Sequence, residues 1–180
     1  MNGNVVRLKV ASLAAVLLVG TCALAAGLLG RRDRPVGGDG RCAAPDARVV
    51  VDLARHTLAL CDKGALVEKF DVRVGKGGVG KTREGDGKTP VGTYALGAPR
   101  PSNRYGTFIP IGYPTDEQKK LGYTGGDVGV HGPPRWFKWL GSLVNAFDLS
   151  DGCVGLARDA EVERIAAWVA AARAGIIELR

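Results

Sequence analysis

Between residues 47 and 74 apolar side chains recur at every second position. Val49, Val51 and Leu53 alternate, as do Leu58 and Leu60, and Asp62-Lys63-Gly64 supplies turn chemistry before a further run from Leu66 to Val74. A period of two puts one set of side chains on one face of a strand, so the stretch predicts successive short strands, with His56 exposed at the first bend. Asp127 to Val130 predicts another short strand, which delivers His131 at its end. Near the C-terminus the period changes. Val162, Ile165, Ala166 and Val169 form one apolar stripe of a helix, with Asp159 as its N-cap, Glu161 and Glu163 in the first turns and Gly175 as its stop. Ile176 to Leu179 predicts a last strand. Many short strands before a single strong helix indicate a β-rich, mixed α+β domain.

Two stretches break these patterns. Residues 97–125 hold Pro99, Pro101, Pro110 and Pro114 with several glycines and predict a loop-rich rim or lid, in which Tyr105, Tyr113 and Tyr123 are candidates to line a substrate groove. Trp136, Phe137, Trp139, Leu140, Leu143 and Val144 fall at mostly helical spacing and predict a short amphipathic helix or hydrophobic cap.

The N-terminal region is of another kind. Val10 to Leu29 carries no charge and is flanked by Arg7 and Lys9 on one side and Arg31, Arg32 and Arg34 on the other. Residues 1–30 therefore read as an export signal or a membrane anchor: Ala23-Leu24-Ala25 resembles a small-residue cleavage site, while twenty apolar residues also suffice to span a bilayer. Thr21 before Cys22 makes a poor lipoprotein signal. Residues 31–45, rich in Gly, Arg and Pro, read as a flexible linker, and residues 46–180 as the domain.

Charge excludes one class of partner. The 25 basic and 18 acidic side chains give +7; setting aside the five basic and two acidic residues before position 41 lowers the excess to +4. With no basic run or aromatic-interleaved patch, nucleic acid is not expected as a partner, whereas a mildly basic exported domain suits an anionic wall polymer or membrane surface. Of the four cysteines, Cys22 lies in the apolar segment and Cys153 in a candidate site. Cys42 and Cys61 remain, as a disulfide or as two free thiols.

The candidate chemistry gathers between His131 and Leu156. Cys153 follows Gly152, and a thiol becomes a useful nucleophile when a neutral imidazole within reach draws off its proton, which makes His131 and Cys153 the first pair. Gly152 frees the backbone so that the amides of Gly152 and Cys153 can face one spot as an oxyanion hole. Zinc would need more ligands than one His and one Cys supply. Gly75 to Thr82 matches the phosphate-loop pattern, but Arg83-Glu84-Gly85-Asp86-Gly87-Lys88-Thr89-Pro90 cannot continue as the helix that such a loop requires, so nucleotide binding is not expected.

His131-Gly132, then seventeen residues, then Ser150-Asp151-Gly152-Cys153-Val154-Gly155-Leu156 resembles the signature of the L,D-transpeptidase (YkuD-type) catalytic domain. Many members have His where this chain has Asp151, and a branch reading Asp-Trp-Thr-Asp-Gly-Cys-Ile-Ala is closer. Gly155 departs from relatives that carry Asn or Arg there. Residues 84–94, EGDGKTPVGTY, resemble the segment that leads into a core strand of the family, in which Pro90 and Gly92 serve structure. The resemblance covers residues 47–180.

It implies a curved mixed sheet or β-sandwich with one C-terminal helix. It also implies peptidoglycan chemistry: Cys153 attacks a tetrapeptide stem, expels D-alanine and forms a thioester that an amine of another stem, or of a wall-attached protein, resolves. His131 would be general base and then acid, the Gly152 and Cys153 amides the oxyanion hole, and Asp151 or Asp148 an orienting group or a cap of the turn. Ser150, Gly132 and Tyr123 would contact substrate. No metal or organic cofactor is implied. A hydrolase of the same fold, or a catalytically silent wall-binding module, are the alternatives. The protein is expected in the periplasm or cell envelope, held to the inner membrane if residues 1–30 are not cleaved.

Overall fold

The computed structural model describes residues 42, 44–135 and 150–180. The predicted export segment or anchor, nearly all of the linker, the Trp136–Val144 cap and Asp148 lie outside the described residues. No helix among those described is long and apolar enough to cross a membrane.

The alternating stretch forms β1 (Arg48–Asp52), β2 (Thr57–Asp62) and β3 (Ala65–Arg73), paired antiparallel in succession. The two hairpin turns follow from their residues. Asp52 accepts the Arg55 amide at 2.8 Å, and His56 takes a left-handed φ of 53° to re-enter the sheet. Lys63 and Gly64 both have positive φ, at 51° and 76°, as a two-residue hairpin loop matching strand twist demands.

The remaining elements are β4 (Gly92–Ala95), β5 (Arg100–Ser102), β6 (Gly106–Pro110), α1 (Asp116–Lys120), β7 (Gly129–His131), β8 (Val154–Leu156), α2 (Asp159–Ala172) and β9 (Ile176–Leu179). The described strands make one sheet in the order β4-β9-β1-β2-β3-β8-β7-β6-β5. It is mixed: β1 with β9 and β7 with β8 are parallel, and the other pairs antiparallel. The sheet curls until its flanks meet, where Leu96 bridges to Ile111, Gly97 N–H donates to Pro110 O and Gly112 N–H to Ala95 O, both at 2.8 Å. Inside the curl Val51, Leu58, Leu60, Ile109, Val130, Val154, Leu156, Ile177 and Leu179 are buried, and α2 closes over them with Val162, Ile165 and Val169. This is the curved mixed sheet with a C-terminal helix that the resemblance implied.

Local departures have physical causes. Residues 97–125 are not simply a rim, because they contain β5, β6 and α1. Pro101 is tolerated because β5 is the outermost strand, and Pro110 ends β6, so neither removes an interior ladder bond. The N-cap of α2 is Arg158, with Asp159 inside the first turn; Glu161 accepts the Arg158 amide at 3.2 Å. The helix stops two residues before Gly175, where Arg173 takes the left-handed conformation at φ 52°.

Cys42 and Cys61 are joined as a disulfide, and Cys42 N–H also donates to Gly64 O at 2.9 Å, so the leading segment is stapled to the β2–β3 hairpin. A link across a separation of 19 residues restricts the unfolded chain enough to stabilise the fold by about 3 kcal/mol on the chain-entropy account. A Cys42→Ser/Cys61→Ser double variant should lose that amount in urea titration, with little change in activity.

Candidate active site

The parallel pairing of β7 with β8 sets Val130 beside Val154 and His131 beside Gly155. Val130 and Val154 point into the core, so strand alternation sends His131 and Cys153, one position to either side, to the opposite face. The register fills that face with a row running from Arg100 through Phe108, His131 and Gly155 to Arg73. Tyr105, from the β5–β6 turn, lies flat on the imidazole with ring centroids 3.6 Å apart, and Phe108 stacks at 6.1 Å.

His131 is 5% exposed. Its Nδ1 lies 2.7 Å from Gly132 O, and a carbonyl can only accept, so Nδ1 carries the hydrogen and Nε2 the lone pair. Nε2 is buried and has no hydrogen-bond partner among the described residues. Burial is the main reason that the imidazole pKa falls to about 4; the Gly132 hydrogen bond opposes it, and Arg104 and Arg73 add to it. The ring is therefore neutral at physiological pH. Gly132 is needed for close approach, because a Cβ there would stand 2.7 Å from Asp159 Oδ1 and 3.4 Å from Val162 Cγ2 at the start of α2.

Cys153 is a free, partly buried thiol, and its Sγ lies 3.6 Å from Asp127 O. Burial raises its pKa; a hydrogen bond with the Gly129 backbone and the charges of Arg104 and Lys81 pull the other way, and Asp127 adds to the rise. These shifts favour a protonated thiol at Cys153 and a neutral imidazole at His131.

The turn that carries the thiol is tied at several points. Ser150 Oγ donates to Cys153 O at 2.8 Å and accepts the Gly152 amide at 3.2 Å, while Ser150 O accepts Lys76 N–H at 3.1 Å. Ser150 therefore braces the turn from within. The Gly152 amide, expected to face an oxyanion, is directed at that hydroxyl. Gly152 itself has φ 127°, and a Cβ on it would lie 2.4 Å from Lys88 O.

That oxygen belongs to the glycine-rich segment. Gly75 N–H donates to Thr89 Oγ1 at 2.8 Å, Gly77 N–H to Gly87 O at 2.8 Å, and Gly80 N–H to Thr89 O at 2.8 Å. These amides, which a phosphate loop would turn toward its ligand, are consumed within the fold, and a bridge between Val79 and Thr89 stands where a helix would begin. Asp151 places its carboxylate 2.7 Å from Lys76 Nζ, with both side chains more than half exposed, and among the described residues it is Gly132 O that takes the His131 ring hydrogen. Tyr123 packs against the core and takes its place with Tyr94 and Tyr113. The tyrosine at the imidazole is Tyr105. The buried Lys81 and its partner Asp86 were not singled out from the sequence, where Lys81 belonged to the phosphate-loop pattern.

The sequence model of the YkuD L,D-transpeptidase catalytic domain matches residues 46–177. Among solved structures, the helical cell shape determining protein Pgp2 from Campylobacter jejuni aligns with a TM-score of 0.58 at 23% identity, over 75% of this chain and 47% of that one. Bd1075 of Bdellovibrio bacteriovorus aligns with a TM-score of 0.53 at 18% identity, over 74% of this chain and 47% of that one. At such identities the likeness speaks for the fold, and the chain spans about half the length of each. No curated protein sequence matches it significantly. With a family model over residues 46–177 and a curled sheet shared with these structures, the chain belongs to the YkuD family of L,D-transpeptidase catalytic domains.

Proposed function

We propose that residues 46–180 catalyse L,D-transpeptidation on peptidoglycan stem peptides, with Cys153 as nucleophile and His131 as base. The observation that carries this reading is the β7–β8 register, which sets a thiol and an imidazole on one face with Nδ1 committed to Gly132 O and the Nε2 lone pair unengaged by any described residue. Nε2 takes the thiol proton as Sγ bonds to the carbonyl carbon of the third residue of a tetrapeptide stem. The oxyanion that forms is assigned to the Cys153 amide, with Gly152 holding the turn that aims it. Collapse of this intermediate breaks the bond to D-alanine, whose amine leaves with the proton held on Nε2, and a thioester remains. An amine of a second stem, or of a wall-attached protein, then attacks the thioester; His131 removes its proton and returns one to the departing sulfur. Gly132 and Ser150 support this face, and Tyr105 is the aromatic that packs the base. The chemistry places the domain on the wall side of the membrane, with residues 1–30 as signal or anchor and 31–45 as the tether.

The test is mass analysis of products when residues 41–180 meet a purified disaccharide tetrapeptide, beside Cys153→Ala. A cross-linked dimer lacking one D-alanine, absent with the variant, is expected. Tripeptide alone would replace the transferase reading by a hydrolase. Wall binding without turnover in either protein would replace it by a binding module.

A further inference from the structure

Lys81 is a charged residue in a place where charge is rarely tolerated. Its side chain is 3% exposed, and its Nζ donates to Asp86 Oδ1 at 2.9 Å and to Arg83 O at 3.0 Å. Asp86 is held in turn by the amides of Thr82, Arg83 and Lys88 at 2.9, 3.0 and 3.0 Å. Burial works against its ionised form, but those amides and the ammonium outweigh it and keep the carboxyl far below the usual range. Tyr113 Oη donates to Lys81 O at 2.9 Å. A buried ion pair with this many supports is a poor source of net stability, because desolvation offsets most of its attraction. Its position relative to the thiol is more informative.

The Lys81 stem runs between two turns that meet at Cys153. A Cβ on Gly152 would lie 3.5 Å from Lys81 Cδ, and a Cβ on Gly125 3.1 Å from Lys81 Cε. The first turn carries the thiol. The second leads to Asp127, whose carbonyl faces Sγ. Resting on the reading of Cys153 as nucleophile, we propose that Lys81 is a positioning residue: its buried stem wedges the Ser150–Cys153 turn against the Gly125–Asp127 turn, and its ammonium, fixed by Asp86, supplies a positive charge that favours the thiolate. The other charged or titratable groups acting on the thiol are Arg104 and Asp127, with Tyr105 and His131 on the same face and the exposed Lys76–Asp151 pair beside the turn. Lys81 and Asp86 stand behind it.

Two nearly isosteric variants separate this role from a merely structural one. In Lys81→Met the stem stays and the cation goes; in Asp86→Asn the cation stays and its counter-charge goes. Iodoacetamide alkylation of Cys153, followed against pH in residues 41–180 with Cys153→Ala as blank, needs no substrate and so stands apart from the test of the reaction. Relative to the parent protein, the rate at pH 7 should fall with Lys81→Met and rise with Asp86→Asn, each on the order of threefold to tenfold, and the midpoints should move up and down respectively. Each sign is read on its own variant. Shifts in the same direction, or unmoved midpoints in variants that melt like the parent, would overturn the proposal.

Discussion

A His131→Gln variant should turn over tetrapeptide about a thousandfold more slowly while still folding. Positioned acid–base catalysis is worth about 10²- to 10⁴-fold, and in the proposed mechanism one imidazole serves both halves of the reaction, so the expected loss belongs near the upper part of that range. The same replacement has a second signature, in stability. Above pH 6.5 the ring is neutral in both folded and unfolded chains. As pH falls from 6.5 toward about 4 the unfolded chain binds a proton that the buried ring refuses, so the unfolded state gains and the fold weakens. The folded pKa is the lowered one, and the window therefore lies below neutrality. A shift to about 4 amounts to about 3 kcal/mol lost between pH 7 and pH 4. Unfolding free energies from urea titrations at those two pH values should differ by that much more in the parent than in His131→Gln. On the kinetic side, kcat/KM should rise with pH through about 4, where the free base appears. An acid limb near 6.5 would mean that the ring is solvated in solution.

Gly152→Ala should be strongly damaging for a change of one methyl group. The added Cβ would sit 2.4 Å from Lys88 O, and φ 127° lies where side-chain-bearing residues are strained, so the turn must move or the glycine-rich segment must yield. Strain of this kind costs about 1–3 kcal/mol, and the displaced turn carries Cys153, the proposed nucleophile. Activity should fall at least about a hundredfold, since small misplacement of a reacting group costs that much. Gly155→Ala supplies the contrast. Its Cβ would meet Arg73 atoms at 3.7–3.9 Å, ordinary contact, at a φ outside the left-handed range. Stability within about 0.5 kcal/mol of the parent is expected there. Melting curves and turnover measured side by side decide whether the glycine before the cysteine is required by the backbone.

Much of this was legible in the residues because local pattern and tertiary demand agreed. The alternation of Val49, Val51, Leu58 and Leu60 survives into the fold because one face of β1 and β2 is buried throughout. The stripe of α2 survives for the same reason. β5 and β6 were hidden because proline argues against a strand, and only their positions at the outside and end of the ladder make Pro101 and Pro110 tolerable. His131 and Cys153, the proposed reacting pair, stood out as rare side chains beside glycine. What could not be read was which atom holds the imidazole. A carboxylate is the natural guess, yet Asp151 finds Lys76 and a backbone carbonyl one residue away takes the ring hydrogen. Backbone acceptors leave no mark in a sequence. Lys81 was obscured differently, since its place among glycines fitted a phosphate-loop pattern and its burial shows only once the fold encloses it.

The place of β9 governs how the molecule can be assembled. The strand nearest the C-terminus is inserted between β1, formed by the first residues of the domain, and β4, with Val49 paired to Ile177 and Thr93 to Glu178. Contacts so distant in sequence are slow to form, because the intervening chain must be ordered before they repay its loss of freedom. Folding is then gated by the arrival of Ile176–Leu179, and a nascent or truncated chain that lacks them presents β1 and β4 as two bare strand edges, ready to pair with another copy.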